Sequence, residues 1–115
     1  MLDKLRPLLE QVRELAAQLT EGSRSSSLQA LSGGNGGGEA AREVMETGAR
    51  LRKSIAAVEA SGVLVRDPST GLIDFPARRA DAPVYLCWRL GEEDVDWWHP
   101  RDTGFAGRAR IDWDA

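Results

Sequence analysis

The stretch Ile55-Ala56-Ala57-Val58-Glu59-Ala60-Ser61-Gly62-Val63-Leu64-Val65 decides the fold, because the hydrophobic period changes inside it. Before Gly62 the apolar residues recur at spacings of three and four, the period of a half-buried helix. After it three apolar residues stand in a row, two of them β-branched, as in a strand. Gly62 reads as the helix stop, since glycine takes the left-handed backbone that commonly ends a helix.

Working toward the N-terminus, the same spacing extends through Ala41, Val44, Gly48, Leu51, Ile55 and Val58, which predicts a helix over residues 39–61. Gly48 stands on the apolar stripe and costs about 1 kcal/mol of helix propensity relative to Ala. It marks either a close backbone approach or a tolerated glycine. A second stripe, Leu5, Leu8, Val12, Leu15 and Leu19, predicts a helix over 5–21. Pro7 is acceptable only near a first turn, so that helix is expected to begin close to it. Between the two lies 22–38, where a Ser-Arg-Ser-Ser-Ser run and the tract Gly33-Gly34-Asn35-Gly36-Gly37-Gly38 read as a flexible connector. The tract lacks the preceding strand and the Gly-Lys-Ser/Thr ending of a phosphate-cradling loop.

Toward the C-terminus, Asp67-Pro68-Ser69-Thr70-Gly71 is a hairpin turn and Leu72–Phe75 the returning strand. The segment Pro76–Pro83 reads as a polar, proline-bounded loop. Val84–Leu90 is the strongest strand, Gly91-Glu92-Glu93-Asp94 its turn and Val95–His99 its partner. Residues 100–115 read as a loop with a short strand near Ile111. The expectation is one α+β domain over 1–115: an N-terminal antiparallel helical hairpin packed on a C-terminal antiparallel β-meander over 62–99.

Composition narrows the function classes. The 115 residues are 42% hydrophobic and carry a formal charge of −3, with no apolar run long enough for a membrane span. A slightly acidic chain without a signal-peptide layout points to the cytoplasm and away from nucleic acid. One cysteine, Cys87, excludes an internal disulfide and a multi-thiolate zinc site. Residues 1–60 hold 8 basic and 8 acidic side chains and no aromatic residue. Residues 61–115 hold 7 basic and 10 acidic ones, together with all four Trp and the single His. Chemistry is therefore expected in the second half.

Pairing Leu90 with Val95 sets Trp88 opposite Trp97, Leu86 opposite His99 and Arg89 opposite Asp96 as a cross-strand ion pair. On that register Leu86, Trp88, Leu90, Val95 and Trp97 form the core face, with His99 at its end. Glu92, Asp96 and Asp102 lie near His99 in sequence. A histidine with carboxylates is the minimum for a metal site or an acid–base pair, and equally describes a histidine hydrogen-bonded at a sheet edge. Cys87 is a nucleophile only if His99 serves it as base; a strand cysteine without a nearby cation is usually inert. Arg108 either holds an anion through its fork of donors or pairs with Asp74 or Asp102 to pin the C-terminal loop.

The strings Gly71-Leu72-Ile73-Asp74-Phe75-Pro76, Tyr85-Leu86-Cys87-Trp88-Arg89-Leu90-Gly91-Glu92, Trp98-His99 and Asp102-Thr103-Gly104-Phe105-Ala106-Gly107-Arg108 resemble the bacterial family DUF2203, a domain of unknown function. The resemblance extends to Leu5-Arg6-Pro7-Leu8-Leu9, the glycine connector and Gly62-Val63. Members usually carry a further segment, with a Phe-Thr and Glu-Ala pattern, ahead of the first of these strings, for which this sequence leaves little room. The family brings no established activity. What the resemblance implies is a choice of residues, for Asp67, Asp74, Cys87, Trp88, Glu92, His99, Asp102 and Arg108 all stand at signature positions.

Two functions are expected on these grounds. One is a ligand-binding or interaction module with a polar site around His99, including Arg108, Trp88 and Asp74, that forms a homo-oligomer through its helical hairpin. The other is a small metal-dependent hydrolase. There His99, Glu92 and Asp102 would ligate a divalent metal such as zinc and activate water.

Overall fold

The computed structural model describes residues 1–31 and 37–113. Two helices, α1 (Leu2–Leu31) and α2 (Gly37–Glu59), pack against each other as a hairpin. Five strands follow: β1 (Leu64–Asp67), β2 (Leu72–Arg79), β3 (Ala82–Arg89), β4 (Trp97–Pro100) and β5 (Ala109–Arg110). They pair antiparallel in chain order, with a 3-10 turn over Phe105–Gly107 between the last two. The fold is α+β, as the change of period at Gly62 predicts. Gly62 has φ +98° and its N–H donates to the Glu59 carbonyl, closing α2.

The hairpin is longer than its stripes suggest. A 30-residue helix spans about 45 Å, and α1 sets the long axis of a molecule measuring 59 × 26 × 22 Å. It starts at Leu2, with Pro7 inside it on the exposed side, where only the bond to the Asp3 carbonyl is forgone. It also runs through residues 22–31, the first part of the expected connector; residues 32–36 lie outside the described residues. At Gly22 tertiary packing overrides the weak local propensity. A Cβ on Gly22 would lie 3.3 Å from Val44 Cγ2, so α2 closes on α1 at that glycine. At Gly48 the nearest side-chain atoms are 3.6 Å and 3.9 Å away, ordinary contact. Gly22, not Gly48, is the close approach.

Leu5, Leu9, Val12, Leu15, Leu51 and Val58 are buried, and they cluster with Ile73 and Trp88 of the sheet. The two seams thus close on each other and on one face of the sheet within a single chain. Among the described residues no helix is long and apolar enough to cross a membrane.

The β2–β3 hairpin corrects the expected loop at 76–83, since Arg79 pairs with Ala82 and Pro76 and Pro83 sit inside strands. Each proline lies where its strand has a partner on one side only. Pairing with β1 ends at Asp74, and pairing with β4 ends at Val84. A missing N–H is tolerated at such an edge. Ala80, with φ 53°, makes the turn.

The β3–β4 register is one residue off the expected one: Cys87 pairs with Trp97, Leu86 with Trp98 and Tyr85 with His99. Because side chains alternate, a slip of one residue exchanges the faces of β4. Trp88, Leu86 and Trp98 lie on the face toward the helices. Cys87, Tyr85, Trp97 and His99 lie on the other. The tight turn at 91–94 is replaced by a longer loop in which the Trp88 indole N–H donates to the Glu92 carbonyl at 3.1 Å and Arg6 donates to the Glu93 carbonyl at 2.7 Å. The expected Arg89–Asp96 ion pair does not form. Arg89 lies 5.4 Å from the Phe105 ring centroid, and Asp96 is exposed.

Candidate functional site

The face of the sheet away from the helices carries the polar chemistry. Asp74 on β2 and His99 on β4 both point there, and each is only 3% exposed. His99 Nε2 lies 3.1 Å from each Asp74 oxygen, and Nδ1 lies 2.8 Å from the Pro100 carbonyl oxygen. A carboxylate and a carbonyl only accept. Both contacts are therefore hydrogen bonds when both ring nitrogens carry hydrogen, and neither lone pair is offered to a metal or a substrate proton.

Arg66 completes this centre. The β1–β2 register shifts between Val65 and Asp67, an irregularity that lets Arg66 Nε reach Asp74 Oδ2 at 2.8 Å. Its hydrogen bond to Asp74 is the main reason the guanidinium is held above its ordinary range, with Tyr85 adding to the effect. The preceding turn is built by Gly71, at φ +71°, where a Cβ would lie 2.5 Å from Leu90 Cδ1. It is also built by Asp67, whose carboxylate accepts from Ser69 and Thr70 and is held below its usual range chiefly by the Ser69 hydroxyl. Asp67 is thus a turn residue.

The C-terminal loop folds over this face and encloses a cleft of about 350 Å³ lined by Arg66, Leu72, Asp74, His99, Arg101, Thr103, Gly104 and Phe105. That volume is within the range of small-molecule sites. The guanidinium carbons of Arg66 and Arg101 each lie 5.0 Å from the Tyr85 ring centroid, and Tyr85 in turn lies 5.5 Å from the His99 ring. Thr103 Oγ1 donates to the Pro100 carbonyl at 3.3 Å.

A second cluster clasps the loop to the sheet. Arg108 Nη1 lies 3.3 Å from both Glu92 oxygens, and its guanidinium carbon is 4.5 Å from the Trp97 ring and 4.3 Å from the Phe105 ring. Glu92 Oε1 also accepts from the Arg89 backbone N–H at 2.9 Å. Arg108 thus pins the loop, with Glu92 rather than Asp74 or Asp102 as its partner.

The expected triad His99, Glu92 and Asp102 does not come together. Glu92 is committed to Arg108 and Arg89, and Asp102 is exposed. Among the described residues no three His, Cys, Asp or Glu side chains converge as a metal site. The residues around His99 therefore do not fit the expected zinc. Trp88 is buried on the opposite face and cannot line the cleft. Cys87 is buried beside the Arg108 clasp, and burial pushes its thiol up, the reverse of what a nucleophile needs. Of the expected site residues the structure joins two, Asp74 and His99. Sequence reasoning missed Arg66, Tyr85, Arg101 and Thr103. Only Arg101 and Thr103 had a signal, their closeness to His99 in the chain.

The model of the family DUF2203, described as an uncharacterized conserved protein, matches residues 1–111. The chain belongs to this family. No curated protein and no solved structure matches it. In this DUF2203 protein the residues singled out by the resemblance take distinct roles. Asp67 builds a turn, Glu92 and Arg108 clasp the loop, Trp88 fills the core, and Asp74 with His99 forms the buried centre of the cleft.

Proposed function

We propose that this DUF2203 protein is a ligand-binding module that takes a small anion in the cleft beneath the C-terminal loop. The observation that carries this reading is the charge balance around Tyr85. Two guanidiniums, Arg66 and Arg101, flank Tyr85, and Arg66 alone is paired with Asp74, whose oxygens are taken by His99 and Arg66. Arg101 has no carboxylate within ion-pair distance among the described residues. An anion entering the cleft would meet that guanidinium without breaking an existing pair. A guanidinium presents a planar fork of donors suited to phosphate or carboxylate oxygens.

Asp74 acts through Arg66 and His99 and is kept from the ligand by them, so it positions donors and does not repel the anion directly. Calorimetric titration with orthophosphate tests the proposal. The expected result is saturable binding by the wild-type protein, weakened about tenfold or more by Arg101→Ala, the usual effect of losing one charge-assisted hydrogen bond. A flat titration of the folded wild-type protein with both orthophosphate and acetate overturns it.

A further inference from the structure

The cleft does not end at Arg101. The same side chain lines a second cavity of about 240 Å³, bounded also by Pro76, Ala77, Arg78 and Pro83. Side chains two apart on a strand share a face at a spacing of about 7 Å. Asp74, Pro76 and Arg78 of β2 therefore run along the face that carries His99, with Arg78 about 13 Å beyond Asp74. Arg78 is steadied by a bond from Nη1 to the Asp81 carbonyl at 3.1 Å, which orients the guanidinium. Among the described residues no carboxylate lies within ion-pair distance of Arg78. Arg66, Arg101 and Arg78 thus line the two adjoining cavities, and among the described residues only Arg66 of the three has a carboxylate, Asp74, within ion-pair distance.

We infer that the ligand is a small molecule with two anionic groups, one seated between Arg66 and Arg101 and the other between Arg101 and Arg78. This rests on the anion-binding reading above and extends it from one anionic group to two. Arg101 is the shared wall, so it serves both groups, while Arg78 serves only the second. Pro76 lies between Asp74 and Arg78 on this face and offers apolar contact to a short spacer beside Arg101. Phosphate and carboxylate ends share the recognition chemistry.

Calorimetric titrations with one-headed and two-headed probes test this: orthophosphate against tripolyphosphate, and acetate against adipate. At least one two-headed probe is expected to bind tenfold or more tighter than its one-headed counterpart. Arg78→Ala should abolish that gain. Arg78→Lys should restore part of it. Arg79→Ala is the control for net charge. Arg79 neighbours Arg78 in sequence but faces the other side of the sheet, 4.7 Å from the Trp98 ring centroid. The inference is overturned if neither two-headed probe gains in the wild type, if the gain survives Arg78→Ala, or if Arg79→Ala removes it equally. In each of those cases one-headed binding that depends on Arg101 would leave the simpler anion reading standing, and its loss would remove both.

Discussion

Replacing Asp74 should damage this fold in a way that depends on what replaces it. Asp74→Ala takes away the partner of a histidine that is 3% exposed and leaves one ring nitrogen facing a void. Removing one member of a buried pair typically costs about 3–5 kcal/mol. Arg66 adds little to that figure, because its side chain is 44% exposed and rehydrates once released. Against a typical stability of about 5–15 kcal/mol the loss is large. At roughly 4 °C per kcal/mol, it lowers Tm by about 12–20 °C. Asp74→Asn has a different outcome. The amide oxygen accepts from Arg66, the amide N–H donates to His99 Nε2, and the histidine keeps one hydrogen, on Nδ1, for the Pro100 carbonyl. All three bonds survive with His99 neutral and its single hydrogen on Nδ1, so the expected cost is about 1 kcal/mol. An apolar pair, Asp74→Leu with His99→Phe, should fall between the two, because a well-packed hydrophobic substitute offsets the lost hydrogen-bonded pair. Urea unfolding followed by tryptophan fluorescence at pH 7 gives all three values. Equal losses for the alanine and asparagine variants, or a loss below about 1 kcal/mol for alanine, would refute the hydrogen-bond assignment at His99.

Two further outcomes follow from the packing. Gly48→Ala should stabilise the protein by about 1 kcal/mol, because a methyl there meets only atoms at ordinary contact distance while helix propensity improves; a lower urea midpoint would show that the helices are too close at Gly48 to admit a methyl. Cys87 should react with a thiol reagent only as fast as the chain opens. With its thiol raised by burial, folding favours the neutral form, so the stability it contributes is full below the unfolded thiol's titration range and declines as pH rises through that range. Rapid labelling of the native protein at pH 7, or stability that rises through that range, would contradict this.

The order of elements was legible in the sequence because it depends on period, and period survives without knowledge of partners. Leu5, Val12, Leu15, Leu51 and Val58 show their burial through spacing alone, whereas Leu8 and Leu19 of the same stripe are half-buried. The extension of α1 past residue 21 was not legible, since Gly22 packs against Val44 of the other helix, a partner that spacing does not reveal. The same limit hid the site. A strand register depends on which of two faces finds a partner, and Trp88 and Trp97 look interchangeable until the indole of one is bonded to the Glu92 carbonyl. With the register shifted by one, His99 left the core face and met Asp74, 25 residues away, in place of the nearby Glu92 and Asp102. Arg66 was hidden by the irregularity that aims it.

The Asp74–His99 pair is a poor way to fill space. Two ionisable groups buried together lose hydration, and apolar residues of similar size would serve packing about as well. What an apolar pair cannot do is hold the Arg66 guanidinium at the mouth of the cleft. Asp74 fixes it by Nε and His99 occupies the rest of the carboxylate, so the negative charge is spent internally while Arg66 keeps its place beside Tyr85. The apolar double variant separates these roles. If the pair serves stability alone, Asp74→Leu with His99→Phe should leave orthophosphate binding untouched. If it positions Arg66, the same folded variant should bind orthophosphate more weakly, with Arg101 in place but its neighbour released.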